Sequence, residues 1–356
     1  MSHLHELGWN SFFQQFLKTT DSRLPARVVE EQRAAFRIDC EAGELLAEST
    51  GHLRYAAADR SALPAVGDWV LIEPRAAERR ATIHEVLPRR TKFSRKVAGR
   101  ETEEQIVAAN IDTAFVVTSL NADLNLRRIE RYLATIWESG AQPVVLLSKS
   151  DLCDDIPTAM EAVADVAFGV PIHPLSSVTG EGLDVIKEYL KPGRTIALLG
   201  SSGVGKSTLI NRLLGREVQK TFAIREDDAR GRHVTTARRL FLLPGRGMLI
   251  DTPGMRELQL WDANDGLSHT FEDIEQLAQN CRFDDCEHES EPNCAVRSAL
   301  ADNTLSSERF ESYLKLRREL GYLARKQDVL SSIELKRKWK RTHKAAKQMY
   351  KNRDKP

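Results

Sequence analysis

Gly200-Ser201-Ser202-Gly203-Val204-Gly205-Lys206-Ser207-Thr208 decides how this chain is read. The spacing is Gly-x4-Gly-Lys-Ser/Thr, a loop whose glycines let successive backbone N–H groups close around phosphate oxygens. Lys206 would reach the β- and γ-phosphates, and the Ser207 hydroxyl would hold Mg²⁺. Thr195-Ile196-Ala197-Leu198-Leu199 predicts a buried strand entering the loop. Thr208-Leu209-Ile210-Asn211-Arg212-Leu213-Leu214 predicts a helix leaving it, which sets the anion at a helix N-terminus. A chance glycine-rich turn is the alternative, and two correct flanks weigh against it.

Two further loops extend the site on either side. Asp251-Thr252-Pro253-Gly254 follows the apolar run Gly247-Met248-Leu249-Ile250. A strand-end aspartate can hold the magnesium shell, and Gly254 can donate its N–H to the γ-phosphate. Ser148-Lys149-Ser150-Asp151 follows the strand Pro143-Val144-Val145-Leu146-Leu147. A carboxylate at Asp151 can accept from both guanine edge donors while the Lys149 stem packs on the base, which selects GTP over ATP. A plain helix cap at Ser148 or Asp151 is the other reading. Leu175-Ser176-Ser177-Val178-Thr179-Gly180 lies one strand later, where a backbone N–H can meet the guanine oxygen. The base-reading loops therefore precede the phosphate loop, the order of a circularly permuted GTPase.

The rest of the chain forms flanking units. At 356 residues it is long for one core, so two or three domains are expected. Residues 3–18 carry apolar side chains at helical spacing, suited to packing on their own domain or to holding a partner. Residues 24–95 read as about five short strands punctuated by Pro64, Gly67, Pro74 and Pro88. An OB-fold is the leading candidate, as an oligonucleotide binder or a ligand-free barrel. Residues 88–105 read as a charged connector. From residue 109 to 262, buried strands alternate with helices, which implies a mostly parallel sheet with helices on both faces.

A net charge of +1 hides a basic stretch from Lys336 to Lys355 in which Asp354 is the only acid. It suits a polyanion or a solvated helix face. No apolar run approaches the ~18 residues of a membrane span, so a cytoplasmic protein is expected.

Three of the five cysteines crowd together as Cys281-x4-Cys286-x-His288-x5-Cys294. Three thiolates and an imidazole would close a tetrahedral shell suited to one structural Zn²⁺, with no open position for catalysis. Met255 stands where many GTPases carry a water-orienting glutamine, and it cannot form a strong hydrogen bond. His233 is the nearest substitute.

These features together resemble the RsgA (YjeQ) family of small-ribosomal-subunit-dependent GTPases. Ala108-Ala109-Asn110-Ile111-Asp112, Gly231-Arg232-His233-Val234-Thr235-Thr236 and Glu291-Pro292-Asn293-Cys294-Ala295-Val296 carry the likeness. Ser148 and Val234 depart from the usual asparagine and threonine. The resemblance implies an N-terminal OB-fold at 24–95 after a helical segment at 1–23, and a linker at 96–108. It further implies a permuted P-loop GTPase domain at 109–262 and a helical zinc-binding domain at 263–356. It implies Thr235 as the Mg²⁺-binding switch threonine, and catalysis by Lys206, Thr235 and His233. The partners it implies are the small ribosomal subunit and its rRNA, not DNA or a membrane, with the chain a monomer. GTP hydrolysed to GDP in late subunit maturation would drive release. The loop at 251–254 leads straight into the cysteine-bearing region, so nucleotide state can bias that region's position.

Overall fold

The structure, a computed structural model, describes residues 3–17, 22–32, 35–57, 60–96, 104–121, 124–215, 238–243, 247–251 and 264–325. His233, Thr235, Gly254, Met255 and the basic stretch 336–355 lie outside the described residues.

The N-terminal segment differs from the single helix that its periodicity predicts. It forms two one-turn helices, α1 (His3–Glu6) and α2 (Ser11–Gln14), the second capped by the Asn10 side chain accepting from Phe12 N. That break lets Leu7 and Phe13 both be buried, with Trp9 set edge-on to Trp69 at 4.8 Å. The segment packs on its own chain.

Five strands follow as the alternation predicts: β1 (Leu24–Glu31), β2 (Phe36–Cys40), β3 (Gly43–Ser49), β4 (Trp69–Arg75) and β5 (Arg80–Val86), with α3 (Gly51–Ala56) between β3 and β4. Strand order is β1-β2-β3-β5-β4, and β4 returns to pair with β1, so the sheet closes as an OB-like barrel. β3 and β5 run parallel and the other pairs antiparallel. Alternate residues such as Val28, Ile38, Ala47, Val70 and Ile83 point inward as one apolar core. Cys40 belongs to that core.

Within the 88–105 connector, the described residues from 92 on are not the solvated stretch that their charge suggests. β6 (Lys92–Lys96) and β7 (Glu104–Ala109) pair antiparallel, with Phe93 and Val107 buried beneath.

Next come β8 (Thr113–Ser119), α4 (Leu126–Ser139), β9 (Gln142–Ser148), α5 (Ile156–Ala164), β10 (Ile172–Leu175) and α6 (Asp184–Tyr189). Then come β11 (Thr195–Leu199), α7 (Lys206–Leu214), β12 (Arg239–Leu242) and β13 (Met248–Asp251). The order β10-β9-β8-β11-β13-β12 is parallel except for β12. α4 and α5 cover one face and α6 and α7 the other, each over its own apolar cluster. β12 also pairs with β1 at Glu30↔Arg239, which runs the sheet into the barrel.

The C-terminal region holds α8 (Asn264–Thr270), α9 (Glu272–Ala278), α10 (Ala295–Ala301) and α11, residues 307–325. α8 lies directly on α4. A Cβ at Gly266 would stand 2.1 Å from the Ala134 carbonyl oxygen, so only glycine allows that approach. Among the described residues no helix is long and apolar enough to cross a membrane.

Candidate functional site: the phosphate loop and a cysteine cluster

The parallel strands end together at one edge of the sheet, and the loops that leave them build the site. Residues 200–205 turn from β11 into α7. Gly200 has φ +148°, and a Cβ there would lie 2.2 Å from the Val117 carbonyl oxygen, so the loop sits tight on β8. α7 starts after Gly205 with no side-chain cap, which leaves its first N–H groups for an anion. Lys206 Nζ donates to Gly200 O at 2.6 Å and also to Ser201 O. The ammonium thus already lies over the loop. Ser207 is half-buried in the first turn of α7, and Ser202, Gly203 and Thr208 are exposed.

Ser148 does not face a ligand. It is 3% exposed, and its hydroxyl lies 3.1 Å from Thr118 O and 2.7 Å from Val204 O. It therefore braces the phosphate loop from beneath, the task that an asparagine amide performs with two N–H donors and a hydroxyl with one. Val204 is itself buried, so only its backbone can serve the loop.

Beyond Ser148, Lys149 adopts φ 60°, ψ 40° and delivers the chain into a single turn, Ser150–Leu152, that leaves Asp151 exposed. Ser176 is fully buried, and its hydroxyl accepts from Val178 N and Thr179 N at 3.2 and 3.1 Å. This closes a turn on which Ser177 is half-exposed. Asp251 ends β13 opposite Arg239.

Cys281, Cys286, His288 and Cys294 come together, with all four ligand atoms within 4.8 Å of one another. His288 Nδ1 lies 3.6 Å from Cys281 Sγ and 3.4 Å from Cys294 Sγ, and the two sulfurs are 3.8 Å apart. Burial opposes ionisation of Cys281, but the N–H groups of Val296 and Ala295 together with the Cys294 and Cys286 thiols more than offset it and the thiol pKa falls. Burial pushes Cys286 up to about 11. Burial, with Arg317 nearby, lowers His288, so its imidazole is neutral and free to coordinate.

Several residues with site roles carry no sequence signal. Arg128 NH1 of α4 reaches the Ser201 hydroxyl at 2.7 Å. Two positions on, Glu130 is fully buried and accepts from Arg127 at 2.6 Å, Arg309 at 3.0 Å and Ser312 at 2.6 Å. Arg309 also forks onto Asp273 at 2.6 and 2.7 Å, and Arg131 onto Glu319 at 2.8 and 2.6 Å. One helix thus touches the phosphate loop and the C-terminal region. A Glu-Arg pattern on amphipathic helices is the only trace of this in the sequence.

A P-loop sheet whose base-reading strands precede its phosphate loop, with an OB-like barrel in front, defines a circularly permuted GTPase. The sequence model of the RsgA GTPase family matches residues 86–261. A "Small ribosomal subunit biogenesis GTPase RsgA 2" of Lactiplantibacillus plantarum is 45% identical over 98% of both chains. An RsgA of Opitutus terrae is 46% identical over 96% of both. The crystal structure of YjeQ from Thermotoga maritima superposes with a TM-score of 0.64 at 26% identity, covering 84% of this chain and 98% of that one. A second structure, "YloQ, a circularly permuted GTPase", gives 0.60 at 21% identity and shares the fold. The chain belongs to the RsgA GTPase family and is a GTP hydrolase, with guanine nucleotide and Mg²⁺ as that family's ligands.

Proposed function

We propose that this chain is a cytoplasmic, monomeric GTPase that binds the small ribosomal subunit through its rRNA, acts late in that subunit's maturation, and hydrolyses GTP to release itself. The observation that carries the reading is the assembled edge of the sheet: the open N-terminus of α7, Lys206 poised over the loop and an exposed Asp151 on neighbouring strands. The relatives' names supply the ribosomal partner.

In this reading residues 200–208 hold the phosphates through N–H groups, and Lys206 moves from its two carbonyls onto the β- and γ-oxygens. Asp151 accepts from the guanine edge, the Lys149 stem covers the base, and the turn at Ser176 and Ser177 meets the guanine oxygen. Ser207 and Thr235 would hold Mg²⁺, with Asp251 as a further acceptor beside them, and a bound ion would supply charge neutralisation at the phosphates. Gly254 N–H meets the γ-phosphate. His233 orients the water where Met255 cannot. Cys281, Cys286, His288 and Cys294 would hold one Zn²⁺. A tetrahedron with Zn–S of ~2.3 Å and Zn–N of ~2.0 Å has edges of roughly 3.5–3.8 Å; the 3.4, 3.6 and 3.8 Å separations among Cys281, His288 and Cys294 match it, and Cys286 lies within the 4.8 Å span of the cluster.

The test is cosedimentation with purified small subunits together with GTP turnover. Wild type should bind, and its slow hydrolysis should speed on the subunit. His233→Ala should keep GTP and subunit binding and lose most of the stimulated rate. A wild type that neither cosediments nor is stimulated sinks the ribosomal reading, and a fully stimulated variant removes His233 alone.

A further inference from the structure

At the end of the barrel where β1 and β3 finish and β2 begins, beside α3 and β7, there is a cavity of about 380 Å³. It lies apart from the phosphate loop, and nothing in the GTPase reaction uses it. Its apolar lining is Phe36, Leu63, Pro64, Ala65 and Ile106, and its polar and cationic lining includes Gln32, Gln105, Arg54 and Arg60.

We infer that this cavity is a subsite for one extruded nucleotide of a single-stranded RNA, with the base on Phe36 and the flanking phosphate at Arg54 and Arg60. The inference rests on the RNA partner proposed above and names where one unit of that RNA is held. Four observations favour a nucleotide. The volume is at the low end of the ~300–1,000 Å³ of small-ligand pockets, which suits one nucleotide rather than two. Phe36, half-buried among the apolar lining residues, is an aromatic side chain of the kind on which bases stack. Arg54 Nε and NH2 donate to Ser49 O at 3.2 and 2.7 Å, which fixes the guanidinium at the rim and leaves three of its five N–H groups over. Gln105 Oε1 accepts from Arg95 Nε at 3.2 Å, so the amide presents its N–H₂ end.

The one acid in the wall does not repel a phosphate. Arg238 NH1 lies 3.0 Å from Glu31 Oε2 and holds that carboxylate neutralised. A base inside a duplex is paired and stacked and cannot enter, so the site selects single strands, loops and bulges.

The experiment uses the full chain, a short fluorescein-labelled single-stranded RNA and fluorescence anisotropy. Phe36→Ala should weaken binding about tenfold or more, as loss of one base–aromatic stack does. Arg60→Gln should lower the slope of log affinity against log salt by ~0.7, one phosphate contact on a single strand. Basal GTP hydrolysis should match wild type in both. Phe36 packs against the barrel core, so its melting temperature is measured alongside. Arg60 is exposed, and its variant's melting temperature is measured in the same way, so that the slope is read on folded protein. Unchanged affinity in a folded Phe36→Ala, or an unchanged slope in Arg60→Gln, overturns the assignment. So does competition by the matched duplex, or displacement by free mononucleotide as effective as by the strand, which would mark a free-nucleotide pocket. The oligonucleotide assay needs no ribosome, so its failure is separable from a failure to cosediment with subunits.

Discussion

Arg27→Met tests whether barrel and GTPase sheet fold as one body. Arg27 sits on β1, is 2% exposed, and its guanidinium bridges parts of the chain far apart in sequence. Nε donates to Gly67 O at 3.3 Å, NH1 to Leu7 O, and NH2 to Asn110 O at 3.1 Å and Thr195 Oγ at 2.9 Å. Those are four oxygen acceptors from the N-terminal segment, the barrel and the GTPase sheet. Its pKa falls from 12.5 to about 10, through burial first, with Asp112 and Asp68 opposing. At about 1.4 kcal/mol per pKa unit, burying the charge costs the fold ~3.5 kcal/mol. Hydrogen bonds from a charged donor contribute about 1.5 kcal/mol each at the low end, ~6 kcal/mol for four. The methionine variant removes both terms, keeps much of the stem, and should lose ~2.5 kcal/mol net. For a unit of this size that is a melting shift of roughly 5–10 °C, read by scanning calorimetry, with faster proteolytic cutting between barrel and sheet. A melt within about 1 °C of wild type and unchanged cutting would refute the claim that Arg27 joins the two.

Asp151→Asn should weaken GTP roughly a hundredfold or more, because a site built around a charge-assisted pair is left mismatched. Its melting point should not move, since Asp151 is exposed; unchanged affinity in equilibrium binding would take Asp151 out of the site. Metal-replete protein should carry one zinc per chain by elemental analysis, and chelation should melt the C-terminal cluster first, since binding energy there is folding energy. Ser148→Ala leaves the buried Val204 carbonyl without its donor and should cost about 1–3 kcal/mol in urea unfolding, with faster GDP release. Asp39 has its pKa raised above 3.8 by burial, only partly countered by His3. Its ionised form therefore opposes folding, and stability declines as pH rises through the raised value. Asp39→Asn should match wild type below pH ~3.8 and exceed it at neutral pH; equal urea midpoints at both would show that the carboxyl is not strained.

The phosphate loop, the parallel sheet and the five barrel strands were legible because each is written locally, in glycine spacing or in alternation. The features that escaped depend on distant partners. The β6–β7 hairpin reads as a connector because Arg95 and Lys96 dominate its composition, and nothing nearby shows that Phe93 is covered. The split of the N-terminal helix depends on Trp69, some sixty residues on, offering a surface for Trp9 and Phe13. Arg27 gives no local sign of its burial because its acceptors come from four separate stretches. Ser148 departs from the usual asparagine, yet the short reach from β9 to Val204 lets a hydroxyl brace the loop.

The path from nucleotide to C-terminal region is narrower than chain order suggests. The permutation joins residue 251 to that region, which invites a swing driven by the γ-phosphate. α4 limits it. Its first turn holds Ser201 through Arg128, and its middle buries Glu130 against Arg309 and Ser312 of α11. Parting α11 from α4 would strip those two partners from a fully buried carboxylate, leaving only Arg127, and leave Arg309 to Asp273 and Thr270. Breaking a buried pair of this kind costs about 3–5 kcal/mol. Gly266 seated against Ala134 adds a close-packed contact that separation would open. α4, α8 and α11 therefore travel as one piece with the wall of the phosphate loop. Any nucleotide-dependent displacement carries the cysteine cluster together with α4.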